Sequence, residues 1–337
     1  MAKQRKILVP GGTGAMGVYL VPELLRMGYS VDVVSLDDRV SFSPSLRYIK
    51  ANFKEMAVAQ DLLKNEYDAI IDFMVYQTHE FKEKVFPLIK ACDHYIYLSS
   101  YRVYADEEHP IRETSPRLLD VSQNQEYLAS DDYSLYKARG EDILKASDLR
   151  NWTAIRPAIT FSQRRFQLVI LEAGCVVQRA REGKTVILPR EAMQVQATMS
   201  WAGDVAKMIA RLVLNPDVYR EIYTVSTAEH NTWETIAKYY EKLIGMKYVT
   251  VDRDTFLNII APNEKNVAWQ LDYDRLFDRI VDNTKILNAT GLNQKNLTTV
   301  YDGLALELSS LPQDVVFTDP RNALMDAFLE KHPDLIR

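Results

Sequence analysis

The sequence predicts a doubly wound α/β fold: a parallel sheet covered by helices on both faces, followed by a smaller, mainly helical part. Three observations predict it. Short apolar runs alternate with helical patterns through the first half of the chain. A glycine-rich turn joins the first of those runs to the first helical pattern. Beyond about residue 161 the alternation breaks and helical patterns take over. A chain of 337 residues suits one large domain and one smaller one. With 47% hydrophobic and 26% charged residues it can bury a core of ordinary size.

The elements follow in order. Residues 7–9 read as a strand, 18–27 as an amphipathic helix ended by Gly28, and 31–34 as a second strand. Further strands are predicted at 46–49, 69–73, 95–98 and 154–157, with helices between them. The later helical patterns run over 166–182, 203–214, 233–244, 273–280, 297–309 and 322–331, with strand-like pieces at 223–225 and 248–251. Residues 1–161 are therefore expected to form the first domain, with 203–226 returning to it. Residues 162–202 and 227–337 are expected to form a substrate-binding domain. No repeat or flexible linker separates them.

Charge and composition exclude several function classes. The formal net charge is −5, and no Lys/Arg block exists that would match a nucleic-acid backbone or an anionic membrane. The five histidines, His79, His94, His109, His230 and His332, lie far apart, so no metal site is expected. Cys92 and Cys175 sit in apolar stretches and are expected to be buried, reduced thiols. The apolar run after the basic N-terminus is too short for a signal peptide or a membrane span, so a cytoplasmic protein is expected.

The turn Gly11-Gly12-Thr13-Gly14-Ala15-Met16-Gly17 carries chemistry. A glycine-rich strand-to-helix turn lets the backbone approach a pyrophosphate, and the positive end of the helix dipole then faces the charge. A dinucleotide cofactor is the expectation. At the end of the second strand stands Ser35-Leu36-Asp37-Asp38-Arg39. Asp37 reaching a ribose favours NAD; Ser35 with Arg39 holding an extra phosphate is the NADP alternative.

The spacing Gly11-x-x-Gly14-x-x-Gly17 resembles that of the short-chain dehydrogenase/reductase superfamily. The resemblance implies a Rossmann-type sheet and a Tyr-x-x-x-Lys pair on a helix after the fifth strand. Tyr133 and Lys137 supply that pair, and no other tyrosine here has a lysine four residues on. Residues i and i+4 share a helix face, and a nearby ammonium favours the anion of a phenol. Tyr133 is thus the expected general acid/base. The segment Ser99-Ser100-Tyr101-Arg102-Val103-Tyr104 resembles the Ser-Ser-x-x-Val-Tyr run of the extended branch, the NAD-dependent epimerase/dehydratase family. That register implies Ser100, rather than Ser99, as the catalytic hydroxyl.

Other segments match the same branch. Pro110–Pro116 is similar to its Pro-x-x-Glu-x-x-Pro loop, and Arg156-Pro157 to the Arg-Pro after its sixth strand. By this resemblance the cofactor would be held by Gly11, Gly14, Ala15, Met16, Gly17, Ser35, Asp37, Asn52, Phe53, Phe73, Lys137 and Pro157. Substrate contacts would come from Gln77, Tyr101, Arg102, Arg164 and Arg190, with Arg165 a further candidate. The sequence departs from the sugar-nucleotide epimerases at Pro10, at Ile159 where they carry Asn, and at Ala197-Thr198 where they carry Arg-Asp. The implied function is an NAD(P)-dependent enzyme acting on a hydroxyl of a sugar or nucleotide-sugar, working as a homodimer. The alternatives are an NADPH-dependent carbonyl reductase and a non-catalytic RNA-binding relative of the same fold.

Overall fold

The computed structural model describes residues 3–336. Its centre is a seven-stranded sheet of β1 (Lys6–Pro10), β2 (Ser30–Ser35), β3 (Leu46–Lys50), β4 (Ala69–Asp72), β5 (His94–Leu98), β6 (Trp152–Pro157) and β7 (Glu221–Val225). The spatial order is β3-β2-β1-β4-β5-β6-β7, and every neighbouring pair is parallel. The order reverses between β1 and β4. In open parallel sheets the crevice at the C-terminal ends of such strands is where ligands bind.

Apolar residues on alternate positions of these strands build two cores. One face packs Ile7, Val9 and Val31 against Leu20 and Leu24 of α1 (Gly17–Arg26) and against Val205 and Ile209 of a late helix, Ala202–Leu212. The other packs Leu8, Ile70 and Tyr95 against Phe81, Val85 and Leu88 of α2 (Thr78–Lys90), and against Leu144 of α3 (Tyr133–Lys145). The segment 203–226 comes back to this sheet: its helix lies on α1 and β7 extends the sheet beside β6.

The rest of the chain builds a third core around Trp233, Tyr240, Phe256 and Leu271. Two small sheets serve it. Thr185–Pro189 runs parallel to Lys247–Val251, and Gln196–Trp201 joins Ile159–Phe161 to His230–Thr232. The strands at 185–189 and 196–201 are not predicted from the sequence pattern.

Two predicted helices differ. Over 166–182 only Gly174–Gln178 and Arg179–Arg181 are helical, while Gln167–Leu168 and Leu171–Glu172 pair as a small antiparallel hairpin. Residues 166–171 are all buried, so the run has no polar face to set a helical period. Over 273–280 a single wide turn, Leu271–Arg275, gives way to irregular chain. Its buried Asp274, Arg275 and Arg279 are held by side-chain partners rather than by a helix face.

Cys92 and Cys175 are free thiols, the first half-buried and the second buried. His94 is part of the frame. Its Nδ1 accepts from the Leu214 amide at 3.0 Å and its Nε2 donates to Thr153 Oγ1 at 2.8 Å, since that hydroxyl itself donates to Val218 O. The ring is neutral, and burial pushes its pKa from 6.5 down to about 3. Protons therefore bind the unfolded chain first, so this site's stabilisation is present above pH 6.5 and is lost as pH falls towards about 3. In denaturant titrations the stability gap between the parent and His94→Gln should narrow steadily over that range; a gap independent of pH would contradict the assignment.

Candidate active site

The glycine turn leaves β1 and enters α1. The Gly11 amide donates to Val34 O at 2.8 Å, and Thr13 Oγ1 lies 2.9 Å from Ser35 Oγ, so the turn is pinned to β2. Gly17 has no room for a side chain: a Cβ there would lie 2.1 Å from Gly12 O. That closeness brings the start of α1 onto the turn. Above Gly14 the space is open, with only Gly11 O within 4 Å of a built Cβ. Among the described residues, the amides of Ala15 and Met16 have no backbone acceptor. These donors, an open backbone face and a helix N-terminus fit a pyrophosphate.

The turn lines a cavity of about 550 Å³. Ser100 and Tyr133 line the same cavity. Ser100 follows β5 and caps a short turn, its Oγ accepting from the Arg102 amide at 3.2 Å, which leaves its own proton free to donate. Ser99 is committed elsewhere: its Oγ donates to Glu141 Oε1 at 2.5 Å. The two neighbouring serines thus have different duties.

Tyr133 is the first residue of α3, which Asp132 caps by accepting from the Ser134 amide at 3.1 Å. Among the described residues the Tyr133 hydroxyl has no hydrogen-bond partner. Lys137, one turn on, is fully buried, and its Nζ donates to Leu98 O at 2.5 Å. Nζ stands 5.8 Å from the Tyr133 ring centre and 5.1 Å from that of Tyr97. Burial lowers its pKa from 10.5 to about 8, while the fields of Asp72 and Glu141 oppose the fall. The helix sits this close to β5 because residue 140 is glycine; a Cβ there would lie 2.3 Å from the Tyr97 hydroxyl.

A buried ion pair fixes the arrangement. Glu141 on α3 accepts from Arg156 on β6 twice, at 2.7 and 2.6 Å. Arg117 Nη1 adds a third contact at 3.3 Å. Burial would raise the Glu141 carboxyl, but the Arg156 guanidinium holds it below the ordinary carboxylate value. Arg156 also donates to Glu113 O at 3.1 Å, and the Glu113 carboxylate accepts from the Thr224 amide at 2.7 Å. The loop around Glu113 is thereby tied to β6 and β7.

Of the residues singled out from sequence, Gly11, Gly14, Ala15, Met16, Gly17, Phe73, Ser100, Tyr101, Arg102, Tyr133, Pro157 and Arg164 line the cavity. Lys137 lies beneath it. Ser35 stands beside the turn and accepts from the Asp37 amide at 2.9 Å; the Asp37 carboxylate is half-exposed, 3.9 Å from Arg39. Asn52 is spent on its own turn, accepting from the Lys54 amide at 3.1 Å. The Phe53 ring is buried in the sheet core, which leaves its backbone alone to face a ligand. Gln77 caps α2 in a neighbouring depression with Tyr136, and the exposed Arg190 is outside the cavity lining. Arg165 lines the cavity, as do Glu172, Gln270 and Arg275, which no motif marks.

Two substitutions on α3 should have opposite effects on stability. Glu141→Gln leaves Arg156 buried without its counter-ion, and should cost about 3 kcal/mol or more. Lys137→Met removes a charge that is expensive to bury, and should melt no lower than the parent at pH 7. The parent's folded lysine sheds its proton from about pH 8 and its unfolded one near 10.5, so any advantage of the variant should shrink across that window. Thermal melts over pH 6 to about 11 check both; a large loss in Lys137→Met would contradict the reading.

A family model described as the NAD dependent epimerase/dehydratase family matches residues 7–226. The chloroplast stem-loop binding protein of 41 kDa b from Arabidopsis thaliana is 23% identical over 261 residues. That match covers 72% of this chain, and the chain spans 64% of that relative's length. Among solved structures, the UDP-glucose 4-epimerase of Thermus thermophilus in complex with NAD is similar with a TM-score of 0.65 at 17% identity, covering 92% of this chain and 100% of that one. The Bordetella bronchiseptica enzyme WbmH in complex with NAD+ gives a TM-score of 0.68 at 15% identity, covering 92% and 99%. These likenesses show a shared fold. The family match runs from β1 to the end of β7 and includes both the glycine turn and the Tyr133–Lys137 helix, and the chain belongs to the NAD dependent epimerase/dehydratase family.

Proposed function

We propose that this protein is an NAD-dependent epimerase-type enzyme acting on a hydroxyl-bearing carbon of a nucleotide-sugar. One observation carries the reading: Ser100 and Tyr133, with Lys137 buried behind them, line the same cavity as the glycine turn. The pyrophosphate of NAD would lie on the amides of Ala15 and Met16. The half-exposed Asp37 would serve the adenosine ribose, in keeping with NAD rather than NADP. When bound, the nicotinamide supplies a hydride acceptor and donor.

The chain's own residues supply the rest. Tyr133 takes the proton of the substrate hydroxyl as a general base and returns it as a general acid. Ser100 donates its free hydroxyl proton to the same oxygen, where charge changes during the reaction. The Lys137 ammonium, 5.8 Å from the centre of the Tyr133 ring and shielded from water, holds a positive charge next to the oxygens between which the proton moves. Dehydration would call for an acid/base carboxylate beside Ser100. Tyr101 and Arg102 stand there instead, and the Tyr101 hydroxyl accepts from Arg275 at 2.9 Å.

Two measurements test this. Mass spectrometry of the purified protein should find tightly bound NAD, because an epimerase keeps its dinucleotide through the cycle; a readily exchanged NADPH would favour a carbonyl reductase. With a panel of UDP-sugars, NMR should detect interconversion of stereoisomers that Tyr133→Phe slows by at least about 100-fold. Unchanged turnover in that variant would remove Tyr133 from the chemistry. A protein without turnover that binds RNA equally well with and without the substitution would favour the non-catalytic reading instead.

A further inference from the structure

The cavity carries a charge that proton and hydride transfer do not use. The charged side chains lining the cavity are four arginines, Arg102, Arg164, Arg165 and Arg275, and one glutamate, Glu172. Arg165 and Glu172 lie at the rim, 3.5 Å apart and both about two-fifths exposed. Arg102 and Arg275 stand deeper, their side chains 12% and 2% exposed.

Behind them the carboxylates are too few. Asp274 contacts Arg275, lies 3.1 Å from Arg279, and faces Arg102 at 3.5 Å. Asp132 is 3.7 Å from Arg102. Within ion-pair distance, three guanidinium groups therefore share two carboxylates, and one positive charge is left over. Asp132 serves Arg102 alone of the three, while Arg275 and Arg279 share Asp274, so the excess belongs to the cluster as a whole. Arg275 donates to Tyr101 Oη at 2.9 Å and Val169 O at 2.8 Å, and Arg279 donates to Tyr104 O at 3.1 Å. The Arg102 guanidinium donates no hydrogen bond among the described residues; its buried Nε lies 3.5 Å from Asp274 Oδ2, and neither atom has a hydrogen-bond partner. A guanidinium has five donors, and leaving them unmet in a buried place is costly. Its central carbon lies 5.1 Å from the centre of the Tyr133 ring.

We infer that Arg102, backed by Arg275, is a specificity-determining residue that binds a carboxylate on the sugar ring next to the reacting hydroxyl. The inference rests on the nucleotide-sugar reading above. A carboxylate matches the guanidinium fork with two parallel hydrogen bonds and supplies the missing negative charge. A hydroxymethyl group in the same place would leave the fork unsatisfied and the charge uncompensated. The substrate is thus of the uronic acid type rather than a neutral hexose.

UDP-glucuronate and UDP-glucose differ only by carboxylate against hydroxymethyl and make a matched pair of probes. Calorimetric titration of the NAD-loaded protein should give a Kd for UDP-glucuronate at least about tenfold lower than for UDP-glucose, the size of a charge-assisted hydrogen bond. Arg102→Gln should bring the two within about twofold. Arg102→Lys, which keeps the charge and loses the fork, should fall between, and serves if the glutamine variant does not fold. Equal binding of both sugars by the parent would overturn the inference while leaving the nucleotide-sugar reading intact. So would a ratio unchanged in the variants with kcat lowered alike for both sugars, since Arg102 would then act only on Tyr133. Binding of neither sugar would remove the nucleotide-sugar reading and this inference with it.

Discussion

The bidentate contact between Glu141 and Arg156 is the constraint on which the site depends. It joins the helix that carries Tyr133 and Lys137 to the strand that ends at Pro157, inside a core where neither charge meets water. Both carboxylate oxygens are occupied, one also by Ser99 and the other also by Arg117. Such a pair is weak evidence for stability, because desolvating two ions offsets most of their attraction. Its contribution is geometric. With Ser99 bound to Glu141, the backbone after β5 is held so that Ser100 turns its hydroxyl to the cavity. The helix cannot slide along the sheet without stranding a charge.

One turn before Glu141 on the same helix, Lys137 is buried in the opposite condition. No carboxylate pairs with its ammonium among the described residues, and it rests on a backbone carbonyl among three tyrosine rings. A side chain kept in so unfavourable a state is characteristic of a functional site, where burial and neighbouring charge tune reactivity at the expense of stability. The two charges differ in kind: Glu141 with Arg156 positions the helix, and Lys137 is an unpaired cation 5.8 Å from the centre of the Tyr133 ring. Arg102 adds a second cation near the same ring. Its cluster with Arg275 and Arg279 has one positive charge more than the two carboxylates within ion-pair distance balance.

How much of this is legible in the sequence follows from how local each signal is. The glycine turn, the Tyr133–Lys137 spacing and the serine pair each lie within a few residues, and their positions after strands are set by short-range pattern. The parallel sheet is legible because its buried strands read as apolar runs between helices. The charge partners are not. Asp274 and Arg275 lie about 140 residues after Tyr133 in a turn that reads as an ordinary amphipathic helix, and only the packing of the third core brings them behind Arg102. Glu172 is hidden for the same kind of reason, since the buried run at 166–171 reads as a helix. Phe53 stands at the expected place along the chain, but a single aromatic cannot tell from sequence which way its ring faces, and here it faces the core.

The proposed chemistry requires the nicotinamide end of a bound dinucleotide to meet Tyr133. A crystal structure of the protein with NAD tests this most directly. The expected result is the pyrophosphate on the amides of Ala15 and Met16, the nicotinamide beside the Tyr133 hydroxyl, and Lys137 Nζ turned from Leu98 O towards the adjoining ribose. A dinucleotide seated away from the glycine turn, or one whose nicotinamide lies remote from Ser100 and Tyr133, would contradict it.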